Sequence, residues 1–458
     1  MMPFAARAIF RAQEAVLRRP TFPYWHELER TQYLDRAAIE ELQTRKLNRL
    51  LAVALAHCPW HAARIRDAGI ADPVSRGQAT RADLLRLPTM DKRNARAHGA
   101  ELVWREVPGG AFRGNTGGSS GEPLQFFFGR ERQASDAAGR MRARHWWGVA
   151  PGDREAYLWG APVELATTDR IKTLRDRLVN QMVLNAFAMS PERMDEYLAA
   201  LRAWRPTCLY GYASSIALLA ARAEDRGSAA RWAELRVVCT TGEPLYPHQR
   251  ESIGRVFGVP VANEFGSRDI GFTAHEAPGG QMLLLSESHL LEVLDDQGAP
   301  VTPGTAGEAV ITGLTSLAQP FIRYRTGDIV RLAADPATGG RGLHVLAEVS
   351  GRQTDFVVTR DGRVMHALAL IYVLRATRRI AQFKCIQHQV DLVEVQIVPD
   401  ADWRPEAETS VVAGLLARLG EGTRIELRLL DRIAPEASGK HRYIVSHVPL
   451  PAGLAPAA

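Results

Sequence analysis

Residues 113–123 read RGNTGGSSGEP, and the fold prediction starts from this stretch. Four glycines share one short segment with four hydroxyl or amide side chains, and an apolar run at residues 124–128 follows as a predicted strand. Glycine lets backbone N–H groups approach phosphate oxygens, and the hydroxyls of Thr116, Ser119 and Ser120 add donors. No Gly-Lys-Ser/Thr ending follows, as a Walker loop would require. Taken alone, the segment is either a phosphate-binding loop of another kind or an ordinary flexible turn.

Five further motifs follow in order, and each combines a glycine turn with charged side chains. They are residues 240–244 (TTGEP), 264–269 (EFGSRD), 321–328 (FIRYRTGD), 351–355 (GRQTD) and 438–442 (SGKHR). We expect Asp328 on a turn after a strand and Lys440 on a flexible loop. Each feature alone has an ordinary explanation, since such turns and terminal lysines are usually solvated. Their joint order along one chain favours a shared functional site.

Length and composition limit the class of protein. The 458 residues exceed the roughly 250–300 at which single cores stop growing, so we expect at least two domains. Hydrophobic residues make up 46% and charged residues 24%, which excludes a disordered, collagen-like or coiled-coil chain as a whole. The formal net charge of +6 is scattered, with no clustered basic face, so nothing indicates nucleic-acid binding.

Cysteines and the N-terminal segment bear on the compartment. The four cysteines lie far apart without a C-x-x-C pair, which favours reduced thiols and argues against a zinc site. Arginines interrupt the first apolar residues, so no signal peptide is predicted, and no run of about 18 apolar residues occurs. We therefore expect a cytoplasmic protein without a membrane span.

The order of predicted elements indicates an α/β (α+β) fold. Helical spacing occurs early and strands become frequent later, with a turn-rich loop at residues 334–343 before a pivot within 334–351. A large N-terminal domain of sheets flanked by helices (1–348) and a small mobile C-terminal α+β domain (349–458) are predicted. Predicted helices cover residues 34–57, 190–204, 248–255 and 409–419, and predicted strands cover residues 235–240, 256–262, 290–294, 308–312, 356–359 and 390–398.

This ordered set of motifs resembles the adenylate-forming superfamily of acyl-CoA synthetases, luciferases and peptide-synthetase adenylation domains. Within it the chain is similar to the phenylacetate–CoA ligase branch, particularly relatives found with capsular-polysaccharide genes. Residues 87–92 (LPTMDK), 210–215 (YGYASS) and 383–398 are further matches, and the resemblance extends from about residue 25. It implies an AMP-binding domain at 1–348 and a lid domain with a catalytic lysine at 349–458.

The resemblance implies an ATP-dependent acid–thiol ligase. Such an enzyme forms an acyl-adenylate and pyrophosphate, then an acyl-CoA thioester, and an aryl or arylacetic acid is favoured. The implied cofactors are ATP, Mg²⁺ and coenzyme A, the partners are a carboxylic acid and CoA, and a homodimer is left open. The implied catalytic residues are Lys440 and Arg352; nucleotide-binding residues are Thr116, Gly117, Gly118, Ser119, Ser120, Gly121, Gly242, Glu243, Phe265, Gly266, Ser267, Arg268 and Asp328; substrate-binding residues are Tyr210, Gly211 and Tyr212; and the Mg²⁺ ligand is Asp269.

The sequence departs from the family pattern in places, which leaves alternatives open. Leu124 stands where a basic residue is typical, and Arg268 stands where a hydroxyl residue is usual. Trp146 and Trp147 either add an aromatic wall to the acid site or belong to the core. The acyl group could pass to an amine or a sugar, or the chain could be a non-catalytic scaffold with a decayed nucleotide site. The presence of both Lys440 and Asp328 favours the enzyme.

Overall fold

The structure is a computed structural model, and it describes most of the chain. The described residues are 2–116, 124–159, 175–186, 191–227, 230–352, 356–360, 364–366, 370–371, 373–374, 377, 379–400, 403–434 and 443–448. Among the predicted site residues, Gly117, Gly118, Ser119, Ser120, Gly121 and Lys440 lie outside this part of the chain.

Helices dominate the first hundred residues and alternate with strands afterwards. The helices are α1 (Pro3–Val16), α2 (Thr21–Thr31), α3 (Arg36–His57), α4 (Pro59–Asp67), α5 (Ala71–Ser75), α6 (Arg81–Arg86), α7 (Lys92–Ala97), α8 (Arg130–Trp146), α9 (Pro191–Trp204), α10 (Ala213–Asp225), α11 (Pro247–Phe257) and α12 (Pro405–Leu419). The strands are β1 (Phe112–Asn115), β2 (Gln125–Phe128), β3 (Glu155–Trp159), β4 (Gln181–Asn185), β5 (Cys208–Tyr212), β6 (Val237–Thr241), β7 (Val261–Ser267), β8 (Gly271–Glu276), β9 (Met282–Leu284), β10 (His289–Leu294), β11 (Ala306–Gly313), β12 (Tyr324–Leu332), β13 (Val345–Arg352), β14 (Phe356–Val358), β15 (Val364–His366), β16 (Ile380–Gln389), β17 (Leu392–Pro399), β18 (Arg424–Leu429) and β19 (Ile444–Ser446).

A large mixed sheet organises the N-terminal part. Its strand order is β10-β11-β12-β13-β9-β8-β7-β6-β5-β3-β4. The strands on one side of the sheet, in the order β7-β6-β5-β3-β4, pair in parallel. The strands on the other side, in the order β10-β11-β12-β13-β9-β8-β7, pair antiparallel. Parallel strands need crossover connections, and α10 and α11 supply two of them. The carboxyl ends of β5, β6 and β7 consequently meet at one edge of the sheet.

Strands β1 and β2 lie on either side of the glycine-rich segment in the sequence and form a hairpin. The strands pair antiparallel with Asn115 opposite Gln125. At the neck, the Thr116 amide donates to the Leu124 carbonyl and the Leu124 amide donates to the Thr116 hydroxyl, both at 2.9 Å. The side chain of Leu124 is buried in the core against strands of the large sheet. Leu124 is therefore a core residue.

The C-terminal part forms a separate four-stranded sheet in the order β18-β17-β16-β19. Its core gathers alternate apolar residues of β17, including Val393 and Val395, against Val411 and Leu415 of α12. A small α+β unit with its own core results, as the sequence predicts. The mixed α/β fold class is confirmed.

Two sequence expectations are wrong in detail. Residues 256–262 do not form one strand, because α11 continues to Phe257 and ends at Gly258 with φ 72°, so β7 begins only at Val261. Asp328 lies inside β12 rather than on a turn after a strand. Residues 334–344 join β12 to β13, which are paired strands of one sheet, and the pivot within residues 334–351 stays a prediction. The boundary at residue 349 remains a prediction.

Candidate functional site

Three sequence motifs meet where β5, β6 and β7 end. Tyr212 on β5 lies opposite Thr241 on β6, and Thr241 lies opposite Glu264 on β7. Ligands of open α/β sheets commonly bind beyond the carboxyl ends of parallel strands. The register therefore places the predicted acid-binding and nucleotide-binding motifs side by side.

The turn after β6 is fixed by Gly242 and Glu243. Gly242 has φ 76°, a left-handed conformation that glycine adopts without steric cost. Oε2 of Glu243 accepts a 3.0 Å hydrogen bond from the backbone amide of Ser214, in the first turn of α10. A carboxylate at a helix N-terminus is stabilised by the helix dipole. Glu243 thus ties the β6 turn to α10.

The acidic motif forms the end of β7 and the turn into β8. The carboxylate of Asp269 is buried, with Oδ1 accepting from the Ser267 hydroxyl at 2.5 Å and Oδ2 accepting from the Tyr324 hydroxyl at 2.7 Å. Gly266 allows a close approach, since a Cβ there would lie 2.5 Å from the Gly271 carbonyl oxygen. The motif is held rigidly against β8 and β12.

Asp269 has the chemistry of a magnesium ligand. Mg²⁺ is usually held by one or two carboxylates together with substrate phosphates. Within the described residues no group of three His, Cys, Asp or Glu side chains is placed to hold a metal alone. A carboxylate keeps acceptor capacity beyond two hydrogen bonds. The residues present fit Mg²⁺ that arrives with a nucleotide.

Arg268 connects the acidic motif to the neck of the glycine-rich hairpin. Its Nη1 atom lies 3.5 Å from the Asn115 carbonyl oxygen, and its own carbonyl oxygen accepts a 2.6 Å hydrogen bond from Arg132. Burial raises the pKa of Tyr212, while a hydrogen bond with Arg268 opposes that rise. Arg268 is the cation that links the loop neck to the Tyr212 hydroxyl.

Asp328 and Arg352 belong to different motifs but are direct neighbours in the large sheet. They lie opposite each other in the ladder between β12 and β13. Asp328 is 8% exposed, and its backbone amide donates to the Thr326 hydroxyl at 3.1 Å. The ladder thus pairs the residue predicted to bind ribose with the predicted catalytic arginine.

The predicted acid-binding residues Tyr210, Gly211 and Tyr212 lie on β5. A Cβ at Gly211 would lie 2.4 Å from the Leu158 carbonyl oxygen, so only glycine permits this approach to β3. Tyr210 donates a 2.9 Å hydrogen bond to Oε1 of Glu264. Burial raises the pKa of Tyr210, and the nearby Glu264 charge adds to the rise. The hydroxyl therefore stays protonated and acts as a donor.

Sequence reasoning missed the aromatic partner of these tyrosines. Trp159 at the end of β3 stacks on Tyr212 at 4.5 Å and on Tyr210 at 5.7 Å between ring centroids. Trp146 instead packs in two core clusters, and Trp147 donates to the Glu276 carbonyl. Trp147 also packs with Tyr210 and Trp159 in one cluster, so both tryptophans of the pair lie in hydrophobic clusters, and a contribution of Trp147 to an acid site stays a prediction. The contact of Trp159 with the two tyrosines can be recognised only from the pairing of β3 with β5 in the sheet.

Comparison with known proteins identifies the fold. A 2-hydroxyisobutyryl-CoA ligase solved in the postadenylation state with its acyl-AMP superposes with a TM-score of 0.69 at 20% identity, over 91% of both chains. The same ligase in the thioesterification state gives 0.57 over the same coverage. The chain has the adenylate-forming ligase fold.

Sequence relatives agree with this result. Protein CapK of Staphylococcus aureus is 20% identical over 81% of each chain, and a phenylacetate-coenzyme A ligase of Thermus thermophilus is 27% identical over 74% of this chain and 76% of its own. Residues 357–447 match the family described as CapK C-terminal domain. The predicted relation to adenylate-forming acid–thiol ligases is confirmed.

Apolar helices long enough to cross a membrane are not found among the described residues.

Proposed function

We propose that the chain is an ATP-dependent carboxylate ligase that forms an acyl-adenylate with release of pyrophosphate, then transfers the acyl group to CoA. The observation that carries this proposal is the contact between three motifs. Arg268 lies against Asn115 at the loop neck, and Tyr324 donates to Asp269. A carboxylate can attack a triphosphate only where cations and preorganised donors offset the negative charge.

The described residues suit separate parts of that task. Asp269 is the carboxylate we propose for Mg²⁺, which when bound would neutralise phosphate charge. Gly242 and Glu243 would border the adenine, and buried Asp328 would accept from the ribose hydroxyls. Arg268 supplies a cation near the loop, which compensates for Leu124 and argues against a decayed site.

The residues outside the described part complete the proposal. Residues 117–121 would contact the β- and γ-phosphates, and Lys440 would neutralise charge at the α-phosphate. Movement of the C-terminal part would expose the adenylate to the acceptor. The two TM-scores against one ligase, 0.69 and 0.57 in two catalytic states, support such a rearrangement in this fold.

The acid would be aromatic, since the face of Trp159 and the rings of Tyr210 and Tyr212 border the same strand ends. Rings of this kind stack on a planar substrate.

The test is ATP–pyrophosphate exchange across a panel of aryl, fatty and amino acids. Exchange that depends on one acid supports the proposal, and release of ADP with phosphate contradicts it. Asp328→Asn should weaken ATP binding at least about tenfold, because a hydrogen bond to a charged group contributes roughly 1.5–3 kcal/mol. An exposed carboxylate, Asp72→Asn, is the matched control.

A second kind of acceptor stays open, because the C-terminal part follows a family model that is not named for CoA ligation. The C-terminal residues match the CapK C-terminal domain, and CapK itself is similar over 81% of its length. In this alternative reaction the adenylate forms in the same way, but an amine or a sugar hydroxyl accepts the acyl group. Following thiol consumption after adenylation separates the two acceptors, because only transfer to CoA removes a free thiol.

A further inference from the structure

A cavity of about 410 Å³ lies between α8 and the strands β3, β4 and β5. Tyr210 borders it, so it adjoins the proposed acid-binding motif. The polar lining comes from Arg140 and Arg144 on α8 and from Glu155, Tyr157 and Gln181 on the strands. A cavity built for a plain hydrocarbon would not need two cations in its wall.

The strand side of the cavity is aromatic. Tyr157 packs edge-on against Tyr210 at 5.5 Å, and Trp159 stacks on Tyr210. The three rings form one continuous wall, which suits a flat group of similar size.

Arg144 forms hydrogen bonds with other side chains of the protein. Its Nη1 atom is shared by Glu155 and by the Tyr157 hydroxyl, and the guanidinium lies 4.9 Å from the Tyr210 ring centroid. Its side chain is only 9% exposed. Arg144 therefore orders the aromatic wall.

Arg140 is only partly committed. Nε lies 3.3 Å from Oε1 of Glu264, while in the described part of the chain neither Nη atom has a hydrogen-bond partner. Its side chain is 35% exposed. Glu264 also accepts hydrogen bonds from the hydroxyls of Tyr210 and Thr241. The guanidinium carbon of Arg140 also lies 5.5 Å from the Phe272 ring centroid, and Arg140 lines the cavity, so its two terminal nitrogens are the donors that a ligand there could reach.

The charges around Arg140 keep its guanidinium group protonated. Burial alone would lower the pKa of Arg140, but Glu264 and other nearby groups raise it above its ordinary value. Burial would raise the pKa of Glu264, yet Arg140, His275 and Arg144 hold it below the usual range. Both groups are ionised at neutral pH, and a planar acceptor such as a carboxylate matches two parallel N–H donors.

The cavity is connected to the proposed reaction centre through β5. Tyr210 borders the cavity, and Tyr212, two residues further along the strand, contacts Arg268 near the loop neck. One end of an acid could thus react while its other end lies in the cavity.

We propose that the cavity selects an aromatic acid carrying a second carboxylate on the ring, with Arg140 as the residue that recognises that group. This inference rests on the proposed function and names its substrate class. Arg140 is a specificity-determining residue, and the aromatic wall positions the ring.

The experiment compares phenylacetate with 4-carboxyphenylacetate, by calorimetric binding without ATP and by pyrophosphate exchange. We expect the substituted acid to bind about 10- to 100-fold more tightly, the range of one hydrogen-bonded charge pair. Arg140→Met should bring the ratio close to one, and Arg140→Lys should retain part of it. The exposed Arg66→Met is the control and should leave the ratio unchanged.

Arg140→Met leaves Glu264 without its cation, so the double variant Arg140→Met/Glu264→Gln is measured alongside it to separate misfolding from lost recognition. Tighter binding of phenylacetate by the unmodified chain, equal binding, no binding of either acid, or a ratio that survives in the folded double variant would overturn the inference. Arg140-dependent binding without any exchange would uphold the cavity while contradicting the proposed ligase activity. Pyrophosphate exchange with phenylacetate but not with 4-carboxyphenylacetate would uphold the proposed ligase activity and contradict the proposed role of the cavity.

Discussion

The hydroxyl of Tyr324 donates a 2.7 Å hydrogen bond to Oδ2 of Asp269, which lies 55 residues earlier in the chain. Both groups are buried, and Tyr324 belongs to the same motif as Asp328. One strand therefore orients the proposed magnesium ligand and carries the proposed ribose acceptor. The two motifs are far apart in the sequence, but the strand pairing of the sheet brings them together in space.

Tyr324→Phe should loosen Asp269 without removing the aromatic ring. Losing a hydrogen bond to a charged group costs about 1.5–3 kcal/mol, so we expect the concentration of Mg²⁺ that supports half-maximal exchange to rise about 10-fold or more. Tyr33→Phe, at an exposed position, is the matched control. An unaltered Mg²⁺ dependence in a folded Tyr324→Phe protein would show that the hydrogen bond does not position the ligand.

Arg323 stabilises the same segment from the opposite side. Its guanidinium contacts Glu292 through two bonds of 2.7 and 3.1 Å, and both side chains are nearly buried. Its backbone carbonyl accepts from the Met90 amide at 2.9 Å. The first arginine of FIRYRTGD thus anchors the segment that includes Leu87 and Met90 rather than a phosphate.

Arg323→Met should lower the free energy of unfolding by about 3–5 kcal/mol, because it leaves a buried glutamate unpaired. Adding Glu292→Gln should recover a large part of the loss. Arg325→Met, which removes a more exposed ion pair with Glu308, should cost about 1 kcal/mol or less. Denaturant titration measures all three. Equal losses for Arg323→Met and Arg325→Met would mean that burial of the first pair has no energetic consequence.

Sequence alone could predict the fold class and the order of the motifs, because glycine turns and apolar runs are local signals. It could not place Trp159 beside Tyr212, since that contact depends on strands separated by a helix and paired in the sheet. It also misread residues 256–262, where the apolar pattern is shared by a helix end and a strand start. Arg140 was missed because nothing local distinguishes it from other arginines on α8.

Buried histidines should make stability depend on pH. The Nε2 atom of His61 lies 2.8 Å from the Pro320 carbonyl oxygen, and its Nδ1 lies 2.8 Å from a nitrogen of Arg64. Only the neutral ring can donate to the first and accept from the second. Burial, with the Arg64 charge, lowers the pKa of His61 to about 3.

The unfolded chain gains a proton on this ring below its ordinary pKa, and the folded chain does not. Stability is therefore fully present above about pH 6.5 and falls with pH toward the folded value, by about 1.4 kcal/mol at pH 5.5 for this one group. His61→Gln keeps one donor and one acceptor, so it should remove this loss of stability at pH 5.5 and give a shallower pH dependence. His57→Gln, at an exposed position, should leave the slope unchanged. Identical slopes for both variants would contradict the assignment.

Lys440 is the residue on which the adenylation step depends in the proposed mechanism. A compact ammonium with rotatable donors suits a group that neutralises charge only when the reaction complex is assembled. Removing such a donor commonly costs about 10²–10³ in rate, so Lys440→Ala should lose most pyrophosphate exchange while ATP still binds. Lys384→Ala, a lysine on β16, is the control and should exchange normally. Measuring ATP affinity and exchange on the same preparations separates the two effects: a loss of both in parallel would make Lys440 a binding residue, and full exchange would remove it from the mechanism.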